Sequence, residues 1–162
     1  MPEPRPPKQE EMDRWRFDAA GPEAIRADVL DWFPYEYVGR EILLELRTDE
    51  FTSVCPWSGL PDFGSIRVLY VPERRCLELK SFKYYLFSYR SVGIYYEHLV
   101  QRILADLAAC CEPLYLRVEG DFRERGGIAT RARAEQRRPG WNPQAPLEWG
   151  EVSAAPCGPP GA

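Results

Sequence analysis

Residues 41–71 read EILLELRTDEFTSVCPWSGLPDFGSIRVLYV, and the fold turns on how this stretch divides. Ile42, Leu44 and Leu46 alternate along its first part, and Ile66, Val68 and Tyr70 along its last. A period of two marks strands with one face turned inward, so residues 41–47 and 65–71 are predicted strands. Between them, residues 51–63 hold Pro56, Gly59 and Pro61. That connection is too long for a tight hairpin turn and is free to form the edge of a pocket. It carries Cys55 and, seven residues further on, Asp62. A thiol that could become a nucleophile and an acid that could move protons therefore sit on one restricted segment. A plain turn holding a small buried thiol has the same composition, and spacing leaves both readings open.

Downstream, the period changes to about 3.6 after Gly93, with Val100, Ile103, Leu104, Leu107 and Cys111 on one stripe before Pro113 stops the helix. Glu97 falls on the margin of that stripe in the first turn. It is either a surface acid favoured by the helix dipole or a pair of acceptors for a donor-rich ligand. Leu114–Phe122 alternates, and residues 128–135 follow it after Arg125-Gly126-Gly127, which reads as a hairpin. The order strand, strand, helical region, strand, strand predicts an α+β fold, with helices covering one face of an antiparallel sheet. Leu43, Leu69 and Val71 leave apolar character on the second face, so another subunit or a barrel interior is expected to cover part of it.

Length and composition bound what surrounds this frame. The 162 residues, 44% hydrophobic and 28% charged, fit one globular domain. Its expected extent is 23–138, between a Pro-rich and charged segment at 1–22 and a Pro/Gly-rich tail at 139–162, both flexible or wrapping. No run is long and apolar enough for a membrane span, and Met1–Lys8 lacks the apolar core of a secretory signal, so a cytoplasmic location is expected. The net charge of -4 argues against a broad nucleic-acid surface but leaves room for a local basic pocket taking a phosphate-bearing small molecule. Cysteines at 55, 76, 110, 111 and 157 have no Cys-x-x-Cys spacing, and His98 is the single histidine, so no metal site is expected.

Several ordered pieces, FTSVCP (51–56), PDF (61–63), ELKSFKYYLFSYR (78–90), GIYYEH (93–98) and RGGI (125–128), together resemble a known family. These are the nitrile reductases that convert 7-cyano-7-deazaguanine to 7-aminomethyl-7-deazaguanine in the queuosine pathway. The resemblance implies a tunnelling fold, in which antiparallel sheets from several subunits close into an oligomeric barrel, and a homo-oligomer of two stacked pentamers. It implies that Cys55 attacks the nitrile carbon to form a thioimide, that Asp62 supplies protons, and that Glu97 accepts from the ring N–H and amino group of the base. It implies NADPH as cofactor, held by Lys80, Ser81 and Lys83 in the Glu78–Tyr85 segment and by Arg125 and Gly126. Some members carry a catalytic histidine immediately before the glutamate, where this chain has Tyr96; His98 is the candidate substitute, although an ideal helix turns it about 100° from Glu97. Taken alone, the two lysines also fit ordinary solubilising residues, and the glycines fit a simple hairpin turn. A related amidinotransferase acting on a base already in tRNA, and a multimeric purine-binding protein without turnover, are the alternatives; the Glu78–Tyr85 segment and the acidic net charge favour reduction of the free base.

Overall fold

The computed structural model describes residues 17–148. In chain order the described elements are β1 (Trp32–Pro34), β2 (Leu44–Val54), β3 (Pro61–Val71), β4 (Arg75–Leu77), α1 (Leu79–Phe87), α2 (Tyr96–Cys111), β5 (Tyr115–Arg125) and β6 (Ile128–Arg137), after two short 3-10 turns. Strands β2, β3, β5 and β6 make one antiparallel sheet in the order β2-β3-β5-β6, while β1 and β4 pair as a separate ribbon. Both helices pack on one face of the four-stranded sheet, the α+β arrangement expected from the sequence.

The expected inward residues meet: Leu44 opposes Tyr70, Leu46 opposes Val68 and Thr48 opposes Ile66. The register then slips between Thr48 and Phe51. Such a bulge puts one extra residue into a strand and exchanges which parity faces inward. Beyond it Phe51 and Ser53 are buried, and β2 continues to Val54. The connection expected over 51–63 is therefore mostly strand, and only residues 55–60 separate β2 from β3. Alternation broken at Asp49-Glu50 hid this continuation from a period-two reading.

Leu99, Val100, Ile103, Leu104, Leu107 and Cys111 of α2 are buried against Ile66, Val68 and Tyr70 of β3 and Leu116, Val118 and Phe122 of β5. Each such aliphatic or aromatic side chain contributes about 1.5–3 kcal/mol on burial. Gly120 permits the close approach, since a Cβ there would come 2.7 Å from the Phe122 ring and 3.2 Å from Val100. The helix ends where Glu112 turns left-handed, at φ 47°, just before Pro113. At the other end of this layer, the Glu78 carboxylate accepts from the backbone N–H groups of Lys80 and Ser81, at 2.9 and 2.7 Å, and so caps α1. Tyr85 then ties α1 to α2 by donating to Asp106 over 2.7 Å.

The second face of the sheet departs from the expected apolar surface. Leu69 and Val71 are buried there within the single chain, and Trp141 stacks on the neighbouring Tyr115 while its indole N–H donates to Glu41 over 2.6 Å. The middle of that face is a charge ladder: Arg67 contacts Glu45 at 2.9 Å and Glu119 at 3.4 Å, and Arg133 approaches Glu119 to 2.9 Å. Phe63, on the same parity of β3 as Leu69 and Val71, remains 45% exposed on this face, with the Arg123 guanidinium 5.7 Å from its ring centroid.

Candidate active site

The tight connection after β2 is built around Cys55. Its N–H donates to the Leu60 carbonyl over 2.9 Å, and its carbonyl accepts from the Gly59 N–H over 2.7 Å. Gly59 has a φ of 72°, and a Cβ there would collide with the Phe17 carbonyl oxygen, so the turn requires glycine. Val54 N–H donates to the Val92 carbonyl at 3.1 Å and the Val54 carbonyl accepts from Ile94 N–H at 3.3 Å. Those two bonds bring the start of α2 beside Cys55.

Burial pushes the Cys55 thiol up, but the hydroxyl and amide of Ser58, the amide of Trp57 and the guanidinium of Arg125 outweigh it, lowering the thiol from 9.0 to about 7. Donors that favour the thiolate, together with a nearby cation, are what make a cysteine nucleophilic near neutrality. Asp62 lies on the inward face of β3, its side chain only 4% exposed, with Arg125 Nη1 2.6 Å from Oδ1. Tyr96 stacks flat on Phe122, with ring centroids 3.8 Å apart. Burial, and then the Asp62 carboxylate that the Tyr96 hydroxyl meets, push that hydroxyl up to about 12. Tyr96 therefore stays a protonated donor at Asp62.

Cys55, Asp62, Arg125 and Tyr96 thus converge. Glu97 is exposed on the adjoining first turn of α2. His98 is also exposed and sets its ring edge-on to Tyr95 at 6.1 Å rather than against Asp62. Lys80 and Lys83 are exposed on α1. Lys83, with Arg47 and Arg90, lines a groove of about 440 Å³ between β2 and α1, whose apolar lining includes Phe51, Phe82 and Phe87. Ser81 is buried, its hydroxyl donating to the Glu78 carbonyl over 2.7 Å and accepting from Asp31 N–H over 3.0 Å. Gly126 lies at the open tip of the β5–β6 hairpin with a φ of 62°. Cys157 lies outside the described residues. Sequence reasoning left Ser58 unassigned and gave Arg125 to the cofactor; a Cys-x-x-Ser spacing across a Pro/Gly turn was the available signal for Ser58.

A family model for QueF-like proteins matches residues 61–141. The chain belongs to the QueF-like family. Among its QueF-like relatives, the NADPH-dependent 7-cyano-7-deazaguanine reductase of Caldicellulosiruptor bescii is 52% identical over 116 residues, covering 72% of this chain and 88% of that protein. The protein of the same name from Syntrophus aciditrophicus is 40% identical over 130 residues, 80% of this chain and 93% of that one. A crystal structure of the archaeosine synthase QueF-Like in the apo form matches with a TM-score of 0.54 at 31% identity, covering 57% of this chain and 91% of that chain. The QueF-like match takes in Asp62, the α1 lysines, Glu97 and Arg125, and Cys55 lies six residues before it.

Proposed function

We propose that this chain catalyses the NADPH-dependent four-electron reduction of the nitrile of 7-cyano-7-deazaguanine to 7-aminomethyl-7-deazaguanine, in queuosine biosynthesis. Relatives so named, at 40–52% identity, support the reading. The observation that carries it is a cysteine thiol lowered to about 7, sharing Arg125 with the buried Asp62 side chain.

In this reading the Cys55 thiolate attacks the nitrile carbon. A sulfur–carbon bond forms, one carbon–nitrogen π pair moves onto nitrogen, and a proton delivered through Asp62 prevents an isolated anion there. NADPH, when bound, supplies a hydride in each of two rounds, so that one nitrile, two NADPH and two protons give one amine. Between the rounds the carbon–sulfur bond breaks, and a thiol of low basicity is a good leaving group. Glu97 offers two acceptor oxygens to the adjacent ring N–H and amino donors of the base. His98, beside it on α2, is a further candidate for carrying protons to the site.

The groove between β2 and α1 suits part of a dinucleotide, with Lys83, Arg47 and Arg90 for phosphates and Phe82 and Phe87 for an apolar ring. Lys80, on the same helix but outside the groove's lining, Arg125 and Gly126 are the further cofactor contacts of this reading, and Ser81 holds the start of α1. Among the described residues no further strand of the four-stranded sheet lies beside β6 or beside β2 ahead of Val54, which supports the tunnelling fold: sheets joined edge to edge into a barrel, in two stacked pentamers. The charge ladder then faces a wet interior. Residues 23–138 form the catalytic unit, with 1–22 and 139–162 as flanking segments, and a cytoplasmic location goes with the reading.

The likeness to the archaeosine synthase favours a second reading, amidino transfer to a base already in tRNA. Incubating the purified oligomer with the nitrile base and NADPH, and separately with modified tRNA, separates the two. The expected result is NADPH oxidation at two per amine formed, with no change in the tRNA. An oligomer that binds the nitrile but neither oxidises NADPH nor makes the amine would sink the reductase reading.

A further inference from the structure

Arg125 does more in this structure than a cofactor contact requires. It follows Phe122 by three residues, so unbroken alternation would send its side chain to the sheet face opposite the inward Phe122. The β5–β6 register instead slips between Phe122 and Arg125, and that extra residue returns Arg125 to the helix-covered side where Asp62 lies. We propose that Arg125 is a positioning residue for Cys55: from the end of β5 its guanidinium bridges the Cys55 sulfur and the Asp62 carboxylate, so that nucleophile and acid share one cation. The roles of those two groups rest on the reductase reading; the 2.6 Å contact of Arg125 with Asp62 and the register slip that allows it do not.

Exposed ion pairs ordinarily contribute little, because water screens both charges. This pair is asymmetric, with 48% of the Arg125 side chain exposed but only 4% of Asp62. A carboxylate so buried needs a partner, and removing that partner is costly. Arginine is the suitable residue, since its planar fork of five donors can serve two acceptors at once, whereas a lysine ammonium is a point charge. The other charged and titratable groups facing the bridge are Cys55, Asp62 and Tyr96, and the Cys55 thiol is also held by Ser58 and Trp57.

The test is the pH profile of Cys55 alkylation by iodoacetamide, read by peptide mapping on the whole oligomer with neither nitrile nor cofactor present. Arg125→Gln should move the midpoint upward by about half a pH unit or more, and Arg125→Lys by less, because the charge remains. Asp62→Asn should move it downward, since an anion beside the thiolate is removed and the guanidinium is released to sulfur. An unchanged Arg125→Gln midpoint, with weakened binding of NADPH alone, would overturn the proposal and leave Arg125 a cofactor residue. Should Arg125→Gln fail to assemble, Asp62→Asn decides: a midpoint that stays or rises also overturns it. A failed reductase assay leaves this titration interpretable, and a flat titration leaves the reductase reading intact.

Discussion

Cys55 and Cys111 are both buried, at 8% and 4% exposure, yet their thiols move in opposite directions. Cys111 closes α2 next to Val68, Leu107 and Leu116, where burial first, and then the neighbouring thiols of Cys110 and Cys76, push it well above the ordinary thiol range. Cys55 pays the same burial cost in kind, but sits in a turn whose amides and Ser58 hydroxyl point at sulfur, with Arg125 beyond. Reactivity follows from the donors a backbone turn presents and not from how deeply a thiol is buried.

The comparison is broken most directly at Cys55 itself. Cys55→Ala should abolish the nitrile-linked mass increase and lower turnover at least about a thousandfold, while base binding through Glu97 persists. Intact-protein mass spectrometry decides, and an adduct surviving in this variant would move the attachment to another cysteine. Asp62→Asn keeps side-chain size but removes the carboxyl group proposed to carry the proton, and should slow the proposed thioimide formation or its reduction about a hundredfold in single-turnover measurements.

Glu97→Gln replaces one acceptor by a donor against a donor pair, and should weaken base binding by about 1–3 kcal/mol with little effect on NADPH. Calorimetric titration of each ligand checks this, and equal weakening of both in an intact oligomer would contradict the role of Glu97. The smallest change sharpens the two-cysteine contrast. Alkylation of Cys55 should have a midpoint near pH 7, falling off as the thiol is protonated below it, while Cys111 stays unreactive in the same range. Ser58→Ala should raise the Cys55 midpoint by about one unit, and Ser58→Thr should restore it, because the threonine hydroxyl can make the same bond.

Much of this site was legible in the chain. The stripe from Val100 to Cys111 marks α2, alternation at Leu114–Phe122 marks β5, and the motif around Cys55 and Asp62 carries the likeness to nitrile reductases. What escaped was parity. A strand read by period two ends wherever the alternation breaks, so both β2 beyond Thr48 and the direction of Arg125 were hidden by single-residue bulges. The apolar residues Leu69 and Val71 carry no mark of what buries them, and Tyr115, the cross-strand neighbour of Val71, proves to stack on Trp141, 26 residues further along the chain.

The sequence by itself determined the elements, their order and the chemical kinds of residue available, because periodicity, helix-stopping Pro113 and the glycine turn at 126–127 act locally. Only the tertiary structure decided which groups meet. Cys55 and Arg125 are seventy residues apart and come together through two register slips, while Val54 must hydrogen-bond to Val92 and Ile94 before α2 can stand beside the thiol. The acidity of that thiol follows from distances set across the sheet. Electrostatic influence depends on separation in space and on burial, neither of which is written in the order of residues along the chain.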